Sequence, residues 1–162
     1  MAANHNRKGS FLYLVMTAMA ALILLASCGN DPVAANRRNC QRQLKQVWQA
    51  IECHREKHGG QYPASLDAIR QEMPGWTAAC PGRDGKSDSG GDYFYLNWSE
   101  LAGKDGKVRD HDPLLYDRRL AHHGGKGICV LRVDGSVRWD KDARWLKRFA
   151  RERPSLKIPL PE

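Results

Sequence analysis

No glycine or proline interrupts the chain between Pro32 and Gly59, and this stretch limits the possible folds more than any other. Asp31 can cap a helix and Pro32 suits a first helical turn, whereas the pair Gly59-Gly60 is typical of a helix end. Its apolar residues recur with a helical period of 3.6. The inward face they define consists of Cys40, Leu44, Val47 and Ile51, with Trp48 on its flank and His54 or Arg55 at its end. The pattern predicts a helix of about 27 residues and about 40 Å.

Shorter elements and polar loops follow this helix. Ser65 can cap a second helix that ends near Gln71, before the turn signal Pro74-Gly75. Residues 80–92 and 102–112 are rich in glycine and charged side chains, so both are predicted to be loops.

Strand signals lie in the second half of the chain. Residues 93–96 and 114–116 are short and aromatic or aliphatic, as strands are. The segments 127–133 and 136–139 are also rich in strand-forming residues, and Asp134-Gly135 lies between them. An Asp-Gly pair supplies the positive φ angles of a type I′ turn, so these segments are predicted to form a β-hairpin.

A last helix is predicted to begin after Asp140 and to end before Pro154. The tail, residues 154–162, contains three prolines and is expected to be extended. Because a helix comes first and the strands follow it, the fold class is predicted to be α+β. The long N-terminal helix would pack against a small antiparallel sheet, within one domain that spans residues 28–153.

The first 27 residues have the features of an export signal. A basic start, Arg7-Lys8, precedes an uncharged stretch, and small residues lead to Cys28. Leu25-Ala26-Ser27-Cys28 resembles the lipobox of bacterial lipoproteins. The resemblance implies that residues 1–27 are a signal peptide and that Cys28 becomes the first mature residue, carrying diacylglycerol and further acyl chains such as palmitate. Two or more chains anchor a protein stably. The expected location is the cell envelope, facing the periplasm or the exterior.

The charge balance is basic, with a formal net charge of +8 for the chain. Loss of Arg7 and Lys8 with the signal peptide leaves +6 over 135 residues. On a tethered protein this charge favours anionic lipid headgroups or envelope polysaccharides as partners. No nucleic-acid-binding motif is present, so nucleic acid is not an expected partner.

Four cysteines follow Cys28: Cys40, Cys53, Cys80 and Cys129. Because oxidants reach exported proteins, two disulfides are plausible. If Cys40 and Cys53 share one helix, they lie about 20 Å apart and cannot bond to each other. The remaining schemes pair Cys40 with Cys80 and Cys53 with Cys129, or Cys40 with Cys129 and Cys53 with Cys80. Buried free thiols are the alternative.

Three stretches resemble pilins and pseudopilins, specifically proteins with a prepilin-type H-x9-DG domain: residues 40–63, Cys80-Pro81, and residues 123–137. The residues that match the family motif are His123, Gly124, Gly125, Asp134 and Gly135. Ten residues, not nine, separate His123 from Asp134, and Leu14 stands where pilins have a glutamate. The resemblance therefore implies a pilin-like head on a lipid anchor, associated with a type II secretion or type IV pilus-like system.

Few residues suggest chemistry. A metal site could use His122 and His123 with Asp110 and Asp112, and a calcium site could use Asp110, Asp112 and Asp117. Cys53 and its neighbour His54 point about 100° apart on a helix, which excludes a catalytic pair. A pair of Cys129 and His123 would require a free thiol.

The sequence therefore favours a non-enzymatic lipoprotein with a structural or binding role, with no catalytic residues and no cofactor other than the lipid. The alternative is an envelope lipoprotein that binds polysaccharide or a metal ion on the same fold. Sugar rings could stack on exposed tryptophans. The four candidates are Trp76, Trp98, Trp139 and Trp145.

Overall fold

A computed structural model describes residues 31–83, 91–102 and 107–162. The strands and the apolar core of these described residues belong to one compact unit, Val33–Glu162. The predicted signal peptide and Cys28 lie outside the described residues.

The long helix, α1, spans Pro32–Lys57, so this prediction is confirmed. Four of the predicted inward residues, Cys40, Leu44, Val47 and Ile51, are buried together with Ala50, whereas Trp48, His54 and Arg55 are only half-buried. The helix ends because Gly59 and Gly60 both take positive φ angles, of 63° and 87°, which glycine adopts without steric cost.

Two short helices pack near α1. The predicted helix α2 spans Leu66–Glu72, and the Ser65 hydroxyl accepts the Ala68 N–H at 3.3 Å, as an N-cap does. The helix α3, Trp98–Ala102, was not predicted. A capping box starts it: the Asn97 side chain accepts the Glu100 N–H at 2.9 Å, and the Glu100 carboxylate accepts the Asn97 N–H at 3.0 Å.

In the described residues, four antiparallel strands form one sheet in chain order. They are β1, Tyr93–Tyr95, β2, Pro113–Asp117, β3, Gly127–Arg132, and β4, Val137–Lys141. The central strands β2 and β3 are almost wholly buried. The fold is therefore α+β with a long N-terminal helix, a small antiparallel sheet and a C-terminal helix, as predicted.

The β3–β4 hairpin is confirmed, but its predicted type I′ turn is wrong. Three residues, 133–135, form the loop, because Arg132 N–H donates to Ser136 O at 2.9 Å. Gly135 has a φ of 77°, whereas Asp134 keeps a negative φ. A type I turn followed by a left-handed glycine has this form. The Asp134 N–H is bonded to Asp110 O at 2.9 Å, a contact that local sequence does not reveal.

The C-terminal helix α4 spans Arg144–Glu152. Asp140 caps it from the end of β4, since its carboxylate accepts the N–H groups of Trp145 and Leu146, each at 2.9 Å. The tail begins with a 3-10 turn, Pro154–Leu156, and not as an extended segment. Its last residues are held by the segment that follows β2, because Glu162 N–H donates to Arg118 O at 2.9 Å.

Candidate functional site

Four side chains from separate parts of the chain converge in the core: Cys40, Asp117, His123 and Cys129. One ligand atom of each lies within 4.8 Å of those of the other three, and the relative exposure of each residue is 0%. We refer to these four residues as the buried cluster. It combines two thiols, an imidazole and a carboxylate, which are metal-binding groups.

Secondary structure explains how the buried cluster assembles. Cys40 belongs to the apolar face of α1, and Asp117 ends β2. Cys129 lies on the neighbouring strand β3, and its backbone N–H donates to the Asp117 carboxylate at 2.6 Å. His123 ends a 3-10 turn, Leu120–His123, that connects these two strands. The helix thus supplies one thiol, and β2, β3 and the turn between them supply the other three groups.

Asp117 is the hub of the hydrogen bonds in the buried cluster. Its Oδ2 lies 3.1 Å from His123 Nε2, and its Oδ1 accepts the Cys40 thiol at 3.5 Å. The Tyr93 hydroxyl lies 3.7 Å from Cys40 Sγ and donates to Gln43 at 3.1 Å. A fully buried carboxylate is expensive unless it is paired in this way.

Three further groups border the buried cluster: Cys80, His122 and Asp92. Cys80 Sγ lies 3.5 Å from His123 Nε2, and its ligand atom lies within 4.8 Å of those of Asp117 and His122. Asp92 accepts the Cys80 N–H at 2.8 Å and lies 3.8 Å from His122 Nε2. A third thiol and a second imidazole are therefore adjacent to the first four groups.

The surroundings of Cys40 and Cys80 keep both thiols protonated. The hydrogen bond with Cys129, together with burial, raises the pKa of the Cys40 thiol far above its usual value. The hydrogen bond with Cys40, together with burial, likewise raises the pKa of Cys80. Burial pulls the pKa of His123 down, but its hydrogen bonds with Asp117 and Cys80 outweigh this and raise it to about 9. His123 and Asp117 thus form a buried ion pair.

All four described cysteines are free thiols, so neither predicted pairing scheme is formed. Both schemes require Cys53 to pair with Cys80 or Cys129, which lie beside Cys40. Cys53 follows Cys40 by thirteen residues on the same helix and is therefore about 20 Å from Cys40. Its thiol lies beside Glu72, at 3.8 Å. Cys40, Cys80 and Cys129 are buried, in agreement with the alternative of buried thiols.

The metal site predicted from Asp110, Asp112, His122 and His123 does not assemble. Asp110 is exposed, and the buried Asp112 accepts a hydrogen bond from Arg153 at 2.6 Å. The two histidines instead face cysteines. The predicted calcium set separates in the same way, because Asp117 is in the buried cluster while Asp112 is paired with Arg153.

Two glycines of the pilin-like motif, Gly124 and Gly135, lie where the sheet and its loops approach α1. A Cβ atom at Gly135 would lie 2.5 Å from Trp48 Nε1. A Cβ atom at Gly124 would lie 3.3 Å from Val33 Cγ2. Gly124 has a φ of 64° and ends the 3-10 turn that contains His123. Gly125 has a φ of 72°, and a Cβ atom there would have no neighbour within 4 Å.

A surface groove of about 610 Å³ lies between the end of α1 and the start of α3, and it includes Gln61, Tyr62 and Trp98. Trp98 is 38% exposed and stacks on Tyr62 with ring centroids 4.3 Å apart. Arg55 covers the same tyrosine ring at 4.5 Å. Of the four tryptophans considered for sugar stacking, the other three are half-buried.

A second titratable group of side chains lies at the surface, where His54, His58 and Glu72 have ligand atoms within 4.8 Å of one another. Glu72 already accepts a hydrogen bond from Lys57 at 2.6 Å, which lowers the pKa of this carboxyl. The two imidazole rings stack at 4.1 Å. The neighbouring residues Cys53 and His54 both approach Glu72, so Cys53 is part of a surface hydrogen-bond network.

Comparison of the chain with family models, curated proteins and solved structures finds no match. None of the helices in the described residues is both long and apolar enough to cross a membrane.

Proposed function

We propose that this chain is a non-enzymatic envelope lipoprotein, anchored through acyl chains on Cys28, whose pseudopilin-like head has a structural or binding role beside a type II secretion or type IV pilus-like system. The observation that carries the proposal is the position of α1. The helix begins at Pro32, shortly after Cys28 in sequence, and its apolar face is buried in the head. A chain tethered at Cys28 would therefore hold the head directly through its longest element.

The residues that resemble the pilin motif support this assignment by their packing. Gly124 and Gly135 lie where a side chain would meet Val33 and Trp48 of α1. His123 contributes to the buried cluster together with Cys40 of the same helix. Residues of the motif thus act where a long N-terminal helix docks on a sheet, which is the arrangement that the resemblance implies.

Burial of the titratable groups favours binding over catalysis. Cys129 and His123 are close enough to interact, but both have 0% exposure. A nucleophile must reach its substrate, so a thiol in this position is poorly placed for turnover.

The anchor can be tested with Cys28→Ala and the matched variant Cys53→Ala, expressed in a bacterium that processes lipoproteins. We expect the mass of the wild-type chain to correspond to cleavage before Cys28 plus its acyl chains, and Cys28→Ala to lose both changes. Cys53→Ala should be processed as the wild type. An intact Met1 on the wild-type chain would refute the anchor.

The association with a secretion or pilus-like assembly requires its own experiment. Crosslinking of intact cells, followed by purification of the full chain, should recover pilin-like or secretion-system proteins. Crosslinker added only after lysis is the control for contacts that form during the preparation. Recovery of the same proteins with this control would show that the contacts form after lysis and would contradict the proposed association.

The exposed stack of Trp98 on Tyr62 favours a second candidate function, polysaccharide binding. An aromatic face beside Arg55 suits an anionic sugar polymer. Trp98→Ala should weaken cosedimentation with an anionic envelope polysaccharide, whereas Trp145→Ala, which removes a half-buried ring, should not. Equal binding by Trp98→Ala and the wild type would exclude the groove.

A further inference from the structure

We propose that the buried cluster, Cys40, Asp117, His123 and Cys129, is a structural site for a zinc-class divalent ion. The inference does not depend on the proposed anchor or on any secretion partner. It concerns how the head itself is held together, because these four residues connect α1 to the β2–β3 part of the sheet.

The ligand chemistry of the buried cluster indicates the class of metal. Two sulfurs and an imidazole nitrogen are soft or borderline ligands, which zinc prefers, whereas calcium and magnesium prefer oxygen. A single carboxylate oxygen completes a set of four. Four ligands with no open position are typical of structural zinc sites, and the complete burial of this set agrees with such a role.

The distances between ligand atoms are close to those of a tetrahedral site. Zinc ligands at 2.0–2.3 Å from the ion lie about 3.5 Å from one another. Asp117 Oδ2 lies 3.8 Å from Cys40 Sγ and 3.1 Å from His123 Nε2. The remaining pairs are within 4.8 Å. Small side-chain rotations would therefore bring all four atoms to one ion.

The carboxylate of Asp117 provides a second observation that favours an ion. Asp117 has 0% exposure and lies among two thiols and an imidazole. A buried carboxylate is costly unless its charge is compensated, and a divalent cation would compensate it better than an imidazolium alone.

The protons and charges of the binding step balance. The ion displaces three protons, those of the Cys40 and Cys129 thiols and the Nε2 proton of the His123 imidazolium, which pass to solvent, and the neutral imidazole then contributes a lone pair. With Asp117 ionised, the loaded site carries one negative charge. The Cys129 N–H, which already donates to Asp117 at 2.6 Å, remains in place to stabilise it.

A disulfide is the competing fate of these thiols. Cys40 is adjacent to both Cys80 and Cys129, so oxidation could join it to either one. A bond to Cys80 would remove one ligand and a bond to Cys129 would remove two, and either bond would leave the third thiol with the Asp117–His123 pair. The experiment must therefore distinguish a bound ion from a sulfur–sulfur bond.

The test uses the full chain, solubilised from whole cells in detergent and separated from free metal by gel filtration. We expect one zinc ion per chain by elemental analysis. We also expect cobalt, after replacement of the zinc, to show thiolate-to-cobalt charge-transfer absorption. Cys129→Ser and His123→Gln should lose the ion and this absorption. Cys53→Ser, which changes the thiol outside the buried cluster, should keep both.

The spectrum of cobalt in the wild-type chain keeps the test informative if Cys129→Ser does not fold. Folded wild-type chain with reduced thiols that takes up neither zinc nor cobalt would overturn the proposal. A non-reducing peptide map that links Cys40 to Cys80 or Cys129 in the extracted protein would overturn it as well. Neither result bears on cleavage and acylation at Cys28, which are read from the mass of the chain.

Discussion

Replacement of Gly135 by alanine tests whether the β3–β4 hairpin docks on α1 through the absence of a side chain. Gly135 has a φ of 77°, and a Cβ atom there would lie 2.5 Å from Trp48 Nε1 and 2.6 Å from Trp48 Cε2. Two costs therefore add in Gly135→Ala: the backbone conformation and the collision with the indole. Gly125→Ala measures the backbone cost alone, because Gly125 has a φ of 72° and no atom lies within 4 Å of its Cβ position.

The expected magnitudes differ between the two variants. A left-handed conformation costs an L-residue about 1–2 kcal/mol, so Gly125→Ala should lower the free energy of unfolding by about that much. Gly135→Ala should lose a similar amount plus about 1–3 kcal/mol, which is the usual cost of forcing extra atoms into a packed region. The difference between the variants, about 1–3 kcal/mol, isolates the contact with Trp48. Trp48→Leu in the Gly135→Ala background should recover part of it.

Urea unfolding of the full chain, followed by far-ultraviolet circular dichroism, measures these differences as shifts of the midpoint at constant slope. Circular dichroism is preferred to fluorescence because Trp48 is itself perturbed. Equal destabilisation by Gly125→Ala and Gly135→Ala would refute the reasoning, since it would mean that the indole moves away without cost. The same result would remove one of the contacts on which the docked helix of the proposed function depends.

Two further predictions concern charged side chains. Arg153→Met should lower the free energy of unfolding by about 3–5 kcal/mol, because it leaves Asp112, which is 2% exposed, without its guanidinium partner at 2.6 Å. Arg151→Met on the exposed side of α4 is the control in the same urea assay, and a loss below 1 kcal/mol for Arg153→Met would contradict the pairing. Burial pushes the pKa of Asp134 up, but hydrogen bonds from Ser136 outweigh this effect and lower the pKa. Its ionised form therefore stabilises the fold above the ordinary pKa of about 3.9, and this contribution is lost as the pH falls through the lower pKa of the folded state. We therefore expect Asp134→Asn to be less stable than the wild type at pH 7 and to have the same stability near pH 2. A constant difference between the two across this range would exclude the mechanism.

The sequence is sufficient to predict the elements whose signals are local. The apolar period of α1, the cap at Ser65 and the hairpin around Asp134-Gly135 all depend on residues within a few positions of one another. The turn type was mispredicted because backbone bonds from a distant loop, including Asp134 N–H to Asp110 O, hold it. The helix α3 was missed although Asn97 and Glu100 form a recognisable capping box.

The buried cluster could not be predicted because its members are distant in sequence. Cys40 and Asp117 are separated by 77 positions, and their contact depends on where α1 docks. The sequence instead suggested Asp110 and Asp112 as partners of the histidines because they are near in the chain. The contact between Asp117 and Cys129 depends on the register of β2 and β3. Tyr116 pairs with Val130, which places Asp117 opposite Cys129. Only a prediction of that register would have brought the carboxylate to the thiol.

The contacts of α1 with the sheet and its loops recur at regular intervals along the helix, and this spacing links the candidate site to the proposed function. Val33 meets Gly124, Cys40 meets Asp117, and Trp48 meets Gly135. These helix positions are seven and eight residues apart, so the contacts recur about every two turns over roughly 22 Å. At two of them a glycine permits close approach, and at the third a thiol meets a buried carboxylate. Because the three contacts lie along one helix, weakening any of them should loosen the docking of α1 as a whole. A metal ion at the middle contact would reinforce the attachment at the point where apolar packing gives way to a charged, buried pair.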